Sequence, residues 1–171
     1  MTQIDMDQFA TSFAQQRLWF LDQYQPGSSQ YNIPAACRVR GQLDREALAW
    51  SLDEIVLRHE TLRTVFAVDG EMPVQCIAAA SPVQLHEIDL RGQDDAQIQA
   101  LQLAQDEAQR PFDLSKGPLL RVLLIELGDD DYLLQLTLHH IIADGWSIGV
   151  LLAELGALYD ACRRGESSPL P

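Results

Sequence analysis

The 171 residues carry 25 Asp and Glu against 12 Lys and Arg, a formal net charge of −13, with 47% hydrophobic residues. That length suits a single domain able to bury roughly two thirds of its unfolded surface without disulfide or metal staples. The acidic balance, with Lys116 the only lysine, repels a phosphate backbone and sets nucleic acid aside as a partner. No apolar run approaches the ~20 residues of a membrane span, so no membrane insertion is expected. Residues 1–10 lack the basic start and apolar stretch of a signal peptide, so the expected setting is cytoplasmic.

In chain order, Ser12 is placed to cap a helix that runs to about Gln25 and stops at Pro26-Gly27. Residues 31–40 read as a strand entered through Pro34. From Asp44 onward, Leu48, Leu52, Ile55, Val56 and His59 recur at helical spacing, so one face of that helix packs on a sheet. Residues 62–68 and 74–77 flank Asp69-Gly70, a hairpin signal whose turn calls for positive φ. Residues 83–90 give a further extended run, with His86 a surface strand residue. Residues 94–109, rich in Ala, Gln and Leu, form a helix that must stop before Pro111. Residues 119–127 and 132–140 are apolar strands joined across 128–131. A last helix is marked by Ile148, Leu151, Leu152, Leu155, Leu158, Tyr159 and Cys162 and ends near Gly165. The alternation of helix and strand makes the chain α/β or α+β. Cys37, Cys76 and Cys162, odd in number and set among apolar neighbours, read as buried thiols rather than disulfides or metal ligands.

The chemistry-bearing stretch is His139-His140-Ile141-Ile142-Ala143-Asp144-Gly145, at a junction of strand, loop and helix. Side chains alternate on a strand, so His140 shares a face with Leu134, Leu136 and Leu138, and His139 with Gln135 and Thr137. Two imidazoles pointing apart make zinc chelation awkward, and no metal site is expected. A neutral imidazole suits proton transfer near pH 7, and helix-terminal amides near Gly145 could stabilise an oxyanion, which together describe acyl transfer. A plainer reading has the histidines satisfied within the strand and Asp144 capping the helix. Gly145-Trp146-Ser147-Ile148-Gly149 also matches the G-x-S-x-G of a serine esterase. No histidine follows Ser147, however, and the strand ends several residues before it.

Three separated motifs carry a resemblance to the condensation domains of nonribosomal peptide synthetases. Residues 12–21, SFAQQRLWFL, resemble the family's first core motif; residues 58–66, RHETLRTVF, the second; and His139 to Gly145 the third, HHxxxDG. Residues 111–121, PFDLSKGPLLR, and 31–34, YNIP, are further family-like stretches. The resemblance implies the chloramphenicol acetyltransferase-like fold, here a lobe made of a mixed sheet covered by helices. It also implies an acyltransferase. A donor acyl or peptidyl thioester is attacked by the acceptor's amine, both substrates arriving on phosphopantetheine arms of carrier domains, with no cofactor held by the domain itself.

Carried onto this sequence, His140 matches the histidine usually given the chemical role. His139 matches its partner, as readily structural as chemical, and Gly145 matches a position where a side chain would obstruct the thioester arm. Asp144 matches an aspartate expected to form a structural ion pair, with Arg63 the expected mate. Arg58, Arg17 and Trp19 fall on motif positions that serve helix packing as readily as substrate contact. The intact histidine pair argues against a heterocyclisation domain, and the residues after Gly145 against an epimerisation domain. The resemblance divides the chain into a lead-in over 1–11, an N-terminal lobe over 12–164, and over 165–171 the start of a linker. That linker leads toward a C-terminal lobe and a downstream adenylation domain, both absent from this sequence. A lobe alone is expected to be inactive, and a noncatalytic docking module is the alternative.

Overall fold

The computed structural model describes residues 7–171. Seven strands and four α-helices follow in the order β1 (Asp7–Ala10), α1 (Phe13–Tyr24), β2 (Asn32–Arg40), α2 (Arg45–Arg58), β3 (Thr64–Asp69), β4 (Met72–Ile77), β5 (Leu85–Asp89), α3 (Ala96–Gln109), β6 (Leu120–Gly128), β7 (Asp131–His139) and α4 (Gly145–Arg163), with a 3₁₀ turn at Glu60–Arg63 before β3. None of the described helices is long and apolar enough to cross a membrane.

Helix starts follow from local chemistry. Ser12 and Gln15 form a capping box on α1, in which the Ser12 hydroxyl accepts from the Gln15 amide and the Gln15 side chain accepts from the Ser12 amide. Asp44 caps α2 by accepting from Ala47 N–H at 2.9 Å. These bonds satisfy amides that a helix leaves without internal partners.

The strands form two sheets, a mixed four-stranded one in the order β2-β7-β6-β5 and a small antiparallel one in the order β1-β4-β3. In the larger sheet only β5 and β6 run parallel. Apolar residues of α2 (Leu48, Leu52, Ile55) and α4 (Leu151, Leu155, Leu158) share one core with Val122 and Leu124 of β6 and Leu134, Leu136 and Leu138 of β7. On the opposite face, Ala100 of α3 packs with Leu123, Ile125 and Leu90. Helices on both faces explain why β6 buries four consecutive apolar residues, Val122 to Ile125, and reads as a continuous apolar run rather than an alternating one.

The structure departs from the expectations at definite places. Residues 7–10, within the anticipated lead-in, form β1 and pair with β4 in register Asp7↔Ile77. The 3₁₀ turn occupies Leu62 and Arg63, so β3 starts at Thr64. The hairpin turn is Gly70-Glu71, because Asp69 still pairs with Met72; Gly70, at φ 63°, supplies the positive φ at the first turn position. Cys37 is exposed rather than buried, because β2 is an edge strand of the sheet. Cys76 is buried, Cys162 is half-buried, and all three thiols are free. His86 stands exposed on β5.

Candidate active site

β7 ends at His139, and the chain then turns through residues 140–144 into α4. The strand alternation places His139 on the face of Gln135 and Thr137, and all three are buried, at 2% exposure or less. Its ring is walled by Phe112, edge-on with centroids 6.1 Å apart, and by Tyr31 at 6.3 Å. Its Nδ1 accepts a hydrogen bond from the Ile141 amide at 3.1 Å. An accepting Nδ1 is unprotonated, which leaves the proton of the neutral ring on Nε2. Burial, with a smaller contribution from the neighbouring His140, pushes the His139 pKa down to about 4. His139 is therefore neutral at pH 7 and acts as a hydrogen-bond acceptor that pins the turn.

His140 has left the strand. Its amide donates to the Tyr31 carbonyl at 2.8 Å, continuing the β2–β7 ladder by one rung, while the residue itself is exposed. The expected partition of the two rings therefore holds, although His140 faces solvent and does not join Leu134, Leu136 and Leu138 in the core. An exposed imidazole beside a helix start can exchange protons with a molecule arriving from outside.

Asp144 is the N-cap of α4. Its carboxylate accepts from the Ser147 amide at 2.8 Å and from the Ser147 hydroxyl at 2.7 Å. The Ser147 hydroxyl first, then the Ser147 and Trp146 amides, hold its pKa below the ordinary carboxylate value. This corrects the expected Asp144–Arg63 ion pair. The Arg63 guanidinium donates to the Ala78 carbonyl at 2.6 Å and to the Glu60 carboxylate at 3.1 Å. Asp144 is exposed and already served by the helix amides, so no buried charge calls for Arg63.

The same bonds bear on two further readings. The Ser147 amide at the start of α4 is directed at Asp144 rather than left open for an oxyanion. Ser147 lies inside the helix with its hydroxyl committed to Asp144, not on a strained turn, so Gly145 to Gly149 is no nucleophile elbow. Gly145 is exposed, and a Cβ built there meets nothing within 4 Å, so any reason for glycine lies with an incoming molecule rather than this chain.

The remaining motif residues lie around this junction and do not converge on the histidines. Arg17 is exposed on α1, and Trp19 is half-buried against the main core. Arg58, at the end of α2, reaches the Glu154 carboxylate of α4 at 3.5 Å and the Pro171 carbonyl at 2.5 Å. His59, expected to continue the apolar face of α2, caps the helix instead and meets Glu154 through Nε2 at 2.5 Å. A cavity of about 170 Å³ opens between these elements, lined by His59, Ile142, Ala143, Trp146 and Val150 among others. A further cavity, about 890 Å³, lies around Arg63, Phe112 and Leu120 and is lined by neither histidine of the pair. Among the described residues no group of three or more His, Cys, Asp or Glu is arranged to hold a metal ion.

The model of the condensation domain family matches residues 6–171. The chain belongs to the condensation domain family. It is 50% identical over 162 residues to phosphinothricin tripeptide synthetase PhsC of Streptomyces viridochromogenes, covering 94% of this chain and 15% of that protein. It is 47% identical over 160 residues to malpinin synthetase of Mortierella alpina, covering 93% of this chain and 2% of that protein. Among solved structures, the starter condensation domain of rhizomide synthetase RzmA superposes with a TM-score of 0.90 at 24% identity, covering 96% of this chain and 40% of that one. The first condensation domain of the CDA synthetase superposes with a TM-score of 0.88 at 26% identity, covering 96% and 43%. The chloramphenicol acetyltransferase-like reading of the fold agrees with these neighbours.

Sequence reasoning put the histidines and Asp144 at one junction but missed the groups that surround His139. Tyr31 and Phe112 were noted only within family-like stretches. An aromatic residue after a proline carries no signal that it will wall a ring more than twenty residues away. Glu154 was likewise missed, because its partners, His59 and Arg58, sit 95 and 96 residues earlier at the C-terminal end of α2.

Proposed function

We propose that this chain supplies the histidine-bearing part of a condensation domain that joins an acyl or peptidyl group to an amine. The donor is a thioester and the acceptor an aminoacyl group, both carried on phosphopantetheine arms of carrier domains. The amine nitrogen attacks the thioester carbonyl carbon, the carbon–sulfur bond breaks, and the thiol departs without a covalent acyl-enzyme. His140 relieves the attacking amine of its proton and returns a proton to the departing sulfur. His139 holds the turn, and Asp144 with Ser147 fixes the start of α4. The observation that carries this reading is the division of labour between adjacent histidines, one buried and neutral with Nδ1 bonded to the turn, the other exposed at the helix start.

The chain spans two fifths of the solved domains it matches, and amide formation is assigned to the longer domain rather than to these residues alone. The test is amide formation from carrier-bound substrates by a full-length domain containing this sequence. His140→Ala should slow it by about 10²–10⁴-fold with folding retained. A folded His140→Ala domain at the unmodified rate would refute the role. The 171 residues alone, turning over at a comparable rate, would refute the need for the remainder.

A second reading is a noncatalytic docking module for carrier domains, favoured by α1. Phe13, Phe20 and Tyr24 are 90%, 50% and 81% exposed, and with Arg17 they lie on one helical stripe. Aromatic and arginine side chains of this kind anchor protein interfaces. Titration with labelled carrier protein separates the readings, since binding with no amide product from the full-length domain supports docking alone.

A further inference from the structure

One buried charge is unused by the mechanism above. Arg121, on β6, has a side chain only 13% exposed, and its guanidinium gathers acceptors around the end of α3. It bonds the Glu107 carboxylate, the Glu107 carbonyl at 3.0 Å, the Arg110 carbonyl at 2.7 Å and the Pro111 carbonyl at 3.3 Å. Asn32 of β2 takes the Ala108 and Arg110 carbonyls, each at 2.8 Å. A helix presents unpaired carbonyls and partial negative charge at its C-terminus, so a cation there satisfies both. The guanidinium carbon also stands 3.7 Å from the centroid of Phe112, the ring that makes a T-shaped contact with His139.

These contacts form a continuous path from the α3 terminus through Arg121 and Phe112 to His139, and from His139 Nδ1 to the amide of Ile141. We propose that Arg121 is a positioning residue of the histidine site: it fixes the aromatic wall that packs against His139, and thereby the turn that presents His140. The proposal rests on the reading of His140 given above. Stability alone is a poor reason for Arg121, because a buried ion pair is commonly no more stabilising than an apolar residue of similar volume. Methionine at this position would fill the space but would collect no carbonyls and would hold Phe112 with less directional force.

The test is an NMR titration of the imidazoles in the 171-residue chain, with hydrogen exchange of the Ile141 amide. The groups that face His139 are Tyr31 from the residue before β2, His140 from its own turn, and the Glu107–Arg121 pair behind Phe112. Arg121→Met should keep a cooperative fold, raise the His139 midpoint by about one pH unit or more toward ~6.5, and speed Ile141 exchange about tenfold or more. Arg121→Lys should fall between the two. Arg164→Gln, an exposed arginine paired with Glu166, should change neither reading.

A folded Arg121→Met chain with the unmodified His139 midpoint and Ile141 exchange overturns the proposal. If Arg121→Met does not fold, Phe112→Leu decides: the same two changes support the path, and their absence refutes it. Neither measurement needs substrate. Failure of the full-length domain to form amides would refute the proposed function and leave this titration standing, and an unchanged titration would refute the path alone.

Discussion

Burial of a neutral His139 makes the stability of this fold depend on pH in a calculable window. In the unfolded chain His139 takes up a proton near the ordinary value of 6.5, whereas in the folded chain burial holds its pKa at about 4. Between those values the unfolded state binds the extra proton, so stability is full above about pH 6.5 and falls as pH drops toward 4. The separation corresponds to about 3 kcal/mol, a large share of the 5–15 kcal/mol typical of a domain. Protonation of the folded ring, reached only near pH 4, also removes the acceptor for the Ile141 amide, so the turn loosens at the acid end of this window. Urea unfolding at intervals from pH 7.5 to 4 measures the slope directly. His139→Gln will have its own cost at neutral pH, but its slope through the window should be flatter by about 3 kcal/mol in total. Asp89 and Asp113, held down to about 2 by Arg91 and by Lys116 respectively, lose their contributions only below the ordinary carboxylate range and do not overlap this window. Identical slopes for the two chains would refute the assignment of a dry, neutral His139.

Other consequences follow from single contacts. Asp144→Ala removes an exposed cap rather than half of a buried ion pair, so the chain should stay folded with a melting temperature about 2–4 °C lower; combination with Arg63→Met should be additive, and strong coupling in that cycle would restore the ion pair rejected here. Gly117→Ala places a Cβ 2.7 Å from Val65 Cγ1 at a φ of 53°, and should destabilise by about 1–3 kcal/mol in urea, with Val65→Ala recovering part of the loss. Thiol labelling should modify Cys37 in the folded chain, slowly near neutral pH because partial desolvation of the thiol by its neighbours raises its pKa even though the residue is exposed, and buried Cys76 only after unfolding. Equal labelling rates for the two would show that the edge of the sheet or its core is misplaced.

The parts of the fold legible in sequence were those set by short-range physics. Ser12, Asp44 and Asp144 announce helix starts because a cap acts within three residues, and each is found capping. The burial of β6 on both faces was legible as an apolar run, while the two-sheet arrangement was not. Whether β4 pairs with β1 as well as β3 depends on a segment some sixty residues earlier, and nothing local records it. The ion-pair expectation for Asp144 failed for a related reason. Proximity in a family pattern says that Arg63 and Asp144 matter together, but the amide donors of Asp144's own helix act at shorter range and meet its charge first. His59 shows the converse, since its helical spacing suggested an apolar face, yet at the helix end the backbone turns away and the imidazole meets Glu154.

Adjacent histidines at a strand end solve a geometric problem that one histidine could not. An exposed side chain on a turn is free to wander unless the backbone beneath it is fixed. Here the backbone of His140 is held on one side by its amide bond to Tyr31 and on the other by the Ile141 amide bonded to His139. The second bond requires an acceptor at Nδ1, which a protonated ring cannot offer, so the His139 site must exclude water well enough to keep the ring neutral. Phe112 and Tyr31 supply that exclusion. The cost of a buried histidine in acid and the fixed exposure of its neighbour are thus two results of one arrangement. A variant that lets water reach His139 should relieve the acid sensitivity and loosen His140 together.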